Sequence, residues 1–121
     1  MEPKIHRAKE SDEFYTEERC HILELCNSAS DPGLSIARAR VEPGVTTALH
    51  SVTDTVERYV ILSGDGRVDV QGLTPEDVQA NDTVVIPAGA AQRITNTGDT
   101  DLIFLAICTP RFEQCRYEHL E

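Results

Sequence analysis

The residues with most chemistry to offer lie on and beside one segment. Val56 to Ser63 reads Val-Glu-Arg-Tyr-Val-Ile-Leu-Ser and carries the strongest strand pattern in the chain. A period of two places Glu57, Tyr59, Ile61 and Ser63 on one face, and the apolar members turn that face inward. A carboxylate there is costly to bury unless it is paired, protonated or bound to a metal. His50 stands just before the turn into this strand. A hairpin of residues 48–52 with 56–61 would bring His50 and Glu57 together. Imidazole and carboxylate converging inside a β-barrel are a start on a metal site. They are equally a start on a metal-free acid–base pair, with His50 as general base and Tyr59 as proton donor. The plainer readings are a hydrogen-bonded or surface His–Glu pair and a packed tyrosine bonded to a neighbour.

The elements that must position these groups read as short strands. Cys20 to Cys26 is a strand, and Asn27 to Gly33, rich in turn formers, is a loop. Leu34 to Glu42 alternates, with Ala37, Ala39 and Val41 on one face and Arg38 and Arg40 on the other. Pro43-Gly44 breaks it, and Thr46 to Val52 is again β-rich. Gly64-Asp65-Gly66 is a tight turn, after which Val68 and Val70 alternate as in a hairpin. Thr83 to Ile86 stops at Pro87, and Gln92 to Asn96 is short. Leu102 to Cys108 is apolar on both faces and reads as a central strand. Glu113 to Leu120 is expected to form one or two helical turns, with Leu120-Glu121 a tail outside the fold. Many short strands with regular turns predict an all-β sandwich or barrel.

The chain has 121 residues, one domain's worth, and 40% of them are hydrophobic. Residues 1–18 read as an N-terminal polar segment and 19–121 as a single barrel domain. Met1 to Glu10 lacks the apolar run of a secretory signal, so a cytoplasmic protein is expected. Eleven basic against 21 acidic residues give a net charge of −10, which argues against nucleic acid and anionic membranes as partners. The four cysteines form no Cys-x-x-Cys pattern, and Cys20 and Cys26 are roughly 20 Å apart along one strand, at about 3.3 Å per residue. Reduced thiols are expected, although Cys108 and Cys115 could meet.

The spacing of these residues resembles the cupin pattern. Its first motif is Gly, five residues, His-x-His, three or four residues, Glu, six residues, Gly; here Gly44, His50, Val52, Glu57 and Gly64 stand at those places. Its second is Gly, five residues, Pro-x-Gly, two residues, His, three residues, Asn; here the places hold Asn81, Pro87-Ala88-Gly89, Gln92 and Asn96. Motif one thus spans 44–64 and motif two 81–96. The resemblance implies a cupin double-stranded β-helix, or jelly-roll barrel, with little helix. It also implies a homodimer and a small-molecule ligand.

Three places depart from the pattern. Asn81 replaces a glycine and still tolerates a left-handed turn. Val52 replaces the second histidine and Gln92 the third. The resemblance implies a divalent metal such as zinc, nickel, manganese or iron. Here only His50 and Glu57 remain as good ligands, with Gln92 a weak amide donor. Asp54, in the turn between the ligands, is read as a turn residue. The expected function is a small-molecule-binding barrel holding a divalent cation weakly at His50, Glu57 and Gln92. The alternative is an isomerase, decarboxylase or dioxygenase acting on a sugar or small carboxylic acid, metal-dependent or using His50 and Tyr59 alone.

Overall fold

A computed structural model describes residues 1–121. The alternating segments form eleven strands: β1 (Phe14–Tyr15), β2 (His21–Ser28), β3 (Asp31–Val41), β4 (His50–Val52), β5 (Val56–Ser63), β6 (Asp65–Val70), β7 (Glu76–Gln79), β8 (Thr83–Ile86), β9 (Gln92–Asn96), β10 (Leu102–Thr109) and β11 (Tyr117–His119). Glu10–Asp12 and Gln114–Arg116 are single 3₁₀ turns, so the fold is all-β. One antiparallel sheet runs β1-β2-β3-β10-β5-β8 and the other β11-β4-β9-β6-β7. Their inward faces meet in a core of which Ile61, Ile86, Ile94, Leu102 and Phe104 are the bulkiest apolar members. Each comes from the period-two face of its strand, so shifting any strand by one residue would turn core into surface. β10 lies between β3 and β5 as a central strand, with Ile103, Leu105 and Ile107 half-buried on its outer side.

Several expectations change, among them the hairpin across Gly64–Gly66: β5 and β6 lie in different sheets, β5 pairing with β10 and β8 and β6 with β7 and β9. Asn27–Gly33 is not a long loop: β2 runs to Ser28, β3 begins at Asp31, and only Ala29 and Ser30 turn. The Glu24–Ser28 stretch takes up the difference by shifting register twice against β3. Such irregularities let a strand carry turn-forming residues without ending. Next, residues 48–52 and 56–61 do not pair as a hairpin. β4 pairs with β9 and β11, while β5 pairs with β10 and β8 in the opposite sheet. The short turn at Thr53–Thr55, with Asp54 at φ +55°, carries the chain from one sheet to the other. Finally, 113–120 gives one 3₁₀ turn and then strand β11 along β4. Edge pairing with β4 satisfies more backbone groups than a two-turn helix would. The tail joins the fold as well: Leu120 N–H bonds Leu49 C=O at 2.9 Å, and Leu49 N–H donates to the Glu121 carboxylate at 2.7 Å.

The turns of the two motifs hold the sheets in register. Gly64 has φ +89°, and a Cβ there would lie 2.7 Å from Asp101 O, so this place admits only glycine. Asn81 adopts φ +77°, the conformation expected of a glycine substitute. Asn96, fully buried, donates from Nδ2 to Val41 O and Thr100 O, both at 2.8 Å, and accepts from Gly98 N–H at 2.9 Å. All four cysteines are free, with Cys108 buried and Cys115 exposed.

Candidate functional site

A cavity of about 120 Å³ opens between the two sheets. Its space comes from small side chains: Ala37 and Ala106 stand opposite one another on β3 and β10, with Ala39 opposite Phe104. Arg38 and Arg40, of opposite parity, lie on the outer face. Arg38 binds Glu10 and Glu13, and Arg40 binds Glu13 and Asp101. They leave no guanidinium in the cavity. His21 sits near Glu13 and Glu42 on that same outer side, and His119 is exposed on β11.

His50 and Glu57 reach the cavity from opposite sheets, and Val52 lines it two residues beyond His50. Gln92 stands directly across the ladder from His50. The His50 ring is 3% exposed and stacks on Tyr117 at 5.1 Å. Nδ1 lies 2.8 Å from Ala48 O. A carbonyl only accepts, so Nδ1 carries the proton, and in the neutral ring Nε2 keeps its lone pair. That Nε2 approaches Glu18 Oε2 at 3.8 Å, too far for a hydrogen bond.

Two hydrogen bonds link Tyr59, Gln92 and Glu57 into a relay. Tyr59 O–H donates to Gln92 Oε1, and Gln92 Nε2 donates to Glu57 Oε1 at 2.8 Å. The relay orients the amide, since a carboxylate accepts and a phenol in this place donates. The ring of Tyr59 packs on Phe104 with centroids 4.5 Å apart. The candidate acid thus spends its proton on Gln92.

Burial opposes ionisation of the acids here unless a cation joins them. Burial pushes Glu57 above the ordinary carboxylate range, against the opposing influence of nearby His50 and the Gln92 bond. Burial also lifts Glu24, and it carries Glu18 to about 7. The thiol of Cys20 rises to about 12 and that of Cys108 rises too, so neither is a thiolate near neutrality.

The metal set implied by the resemblance can be tested on these contacts. Val52 presents methyl groups and Gln92 has both ends of its amide engaged. No group of three or more His, Cys, Asp or Glu side chains is placed to hold a metal. Two strong donors, His50 and Glu57, do not fit a firmly held ion. Asp54 lies outside the cavity, exposed and 3.9 Å from Arg116.

Several lining residues escape the sequence patterns. Glu24 was available by parity, since it shares a face with Ile22. Glu18, Phe14 and Tyr117 come from irregular or terminal stretches that carry no period, yet all three line the cavity.

Comparison with known proteins agrees with this architecture. The Cupin domain family matches residues 37–108. An oxalate-binding protein of Thermotoga maritima is 37% identical over 71 residues, 59% of this chain and 58% of its own length. The match therefore spans little more than half of that relative. The crystal structure of a predicted oxalate decarboxylase from Thermotoga maritima superposes with a TM-score of 0.77 at 25% identity, over 88% of this chain and 99% of that one. A nucleoside dehydratase superposes with a TM-score of 0.79 over 98% of this chain and 92% of its own, at 13% identity, a likeness of fold alone.

Proposed function

The chain belongs to the cupin family, and on that premise we propose that it is a small-molecule-binding barrel whose polar centre works without a bound metal. One observation carries this reading: the Tyr59–Gln92–Glu57 relay engages both the oxygen and the nitrogen of the Gln92 amide, where the family pattern has an imidazole. With Val52 in the other histidine place, the site keeps a ligand-sized space but not a ligand set for an ion. Apolar walls around a few convergent polar groups are the usual make-up of a small-molecule site. The similarity to a protein named for oxalate binding supports a small-molecule role in general terms.

The test uses benzyl alcohol, a neutral probe of suitable size, with the metal-depleted protein in a chelating buffer. Ligand-observed NMR should detect binding. Ala106→Phe, which fills the space opposite Ala37, should abolish it while the barrel keeps its circular dichroism. Binding that needs an added divalent cation, or that survives Ala106→Phe, would refute the reading.

A further inference from the structure

We propose that the cavity selects an organic ammonium ion, an amine on a small apolar or aromatic body, over the carboxylate ligands for which its relatives are named. This rests on the metal-free binding reading above and names the ligand class for that site.

Three carboxyl groups, Glu18, Glu24 and Glu57, line the cavity, and no lysine or arginine does. Without a metal, a small dianion would meet no fixed cation there, and it would lose its hydration for nothing. The second observation is His50. It is 97% buried, since its exposure is 3%, and its Nδ1 is committed to Ala48 O. Its Nε2 is left with no hydrogen-bond partner and lies toward Glu18. Glu57, 8% exposed, uses Oε1 on Gln92, and its other neighbour is the weak donor Cys108. Unspent acceptors therefore come from both sheets, and the Tyr117 hydroxyl, which can accept as well as donate, lies buried without a partner beside them.

The potential donors nearby are mostly spent. Tyr59 donates to Gln92, Thr16 to Cys20 O, and Gln92 to Glu57. A ligand that brings hydrogen-bond donors and positive charge, as an ammonium group does, matches the three carboxyl groups and the free His50 nitrogen. It must also bring apolar surface, because Phe104, Phe112, Ala37, Ala39 and Ala106 form part of the wall. Aromatic faces add attraction for a cation. A bare divalent ion lacks the apolar body and does not find three strong ligands.

The experiment compares three molecules of one shape: benzylammonium, benzyl alcohol and benzoate, titrated at pH 7.5 into metal-depleted protein in a chelating buffer. Benzylammonium should bind at least tenfold more tightly than benzyl alcohol, and benzoate most weakly. Glu57→Gln and Glu18→Gln should each narrow the amine-to-alcohol ratio. A preference under tenfold, a preference for benzoate, or a ratio that neither variant changes would overturn the ammonium inference. Binding of benzyl alcohol in those cases would leave the metal-free binding reading standing. Failure of all three to bind would overturn both.

Discussion

Glu18 offers a direct measure of what the cavity does to a carboxyl group. Burial carries it from an ordinary 4.5 to about 7, partly opposed by the His119 charge. A carboxyl whose folded pKa exceeds its unfolded value binds more protons in the native state. Its penalty is therefore absent below the unfolded pKa, grows from about 4.5 to about 7, and then levels off. At one tenfold change per 1.36 kcal/mol, the full penalty is about 3 kcal/mol. A side chain that is 25% exposed keeps some water, so about 2 kcal/mol is the expected yield. Glu18→Gln removes the titration and keeps the shape. Urea unfolding of wild type and variant at pH 4, 5, 6, 7 and 8 measures the difference, without ligand. The variant should gain about 2 kcal/mol on the wild type between pH 4 and pH 8, with most of the gain before pH 7.5. Glu24 and Glu57 titrate in both proteins and largely cancel in the difference. Parallel profiles would mean that Glu18 is hydrated like a surface carboxylate, and that the cavity mouth is wetter than its lining implies.

Two other outcomes follow from the motif positions. Val52→His combined with Gln92→His should raise zinc affinity at least tenfold by isothermal titration, about 1.4 kcal/mol, because positions 52 and 92 flank His50 on one strand and across one ladder; equal affinities in two folded proteins would contradict that geometry. Asn96→Ala should cost about 2–4 kcal/mol in thermal or urea unfolding, since it strands the Val41 and Thr100 carbonyls and the Gly98 N–H; a cost under 1 kcal/mol (about the net worth of one hydrogen bond) would show that water replaces those bonds.

Much of the barrel is legible in the sequence because its cause is local. Period-two alternation predicts Val56–Ser63 to the residue, and the inward face of Ala37, Ala39 and Val41 follows from the same rule. What the sequence hides is what long-range pairing decides. Nothing within residues 46–61 says that β4 and β5 belong to different sheets; that follows from the partners β9 and β10, distant in sequence. The Glu113–Leu120 stretch has no period of its own, and its strand exists because β4 offers an open edge. For the site, parity finds His50, Glu57, Tyr59 and, in principle, Glu24. It does not find Glu18 or Phe14, which the chain places from outside any periodic segment.

The motif positions divide into two kinds, and the division explains how a cupin barrel can persist while its centre changes. Gly64 is fixed by a carbonyl 2.7 Å from where its Cβ would be, and Asn81 and Gly89 by left-handed backbone at φ +77° and +76°. Asn96 is fixed by three hydrogen bonds to backbone. These places shape the chain whatever the cavity holds. Positions 52 and 92 carry no such duty. Their backbones make ordinary strand pairs; the Val52 side chain lines the cavity, and the Gln92 side chain bonds only to the side chains of Tyr59 and Glu57. Valine and glutamine can stand there at no cost to the turns, provided that the buried amide finds partners. Tyr59 and Glu57 are those partners, one a donor and one an acceptor. An imidazole at 92 could not satisfy both in the same way, because its two nitrogens diverge from the ring edge, whereas the amide's oxygen and nitrogen sit side by side. The relay therefore accounts for glutamine at position 92 in its own terms, as the residue whose side chain can accept from Tyr59 and donate to Glu57 at once.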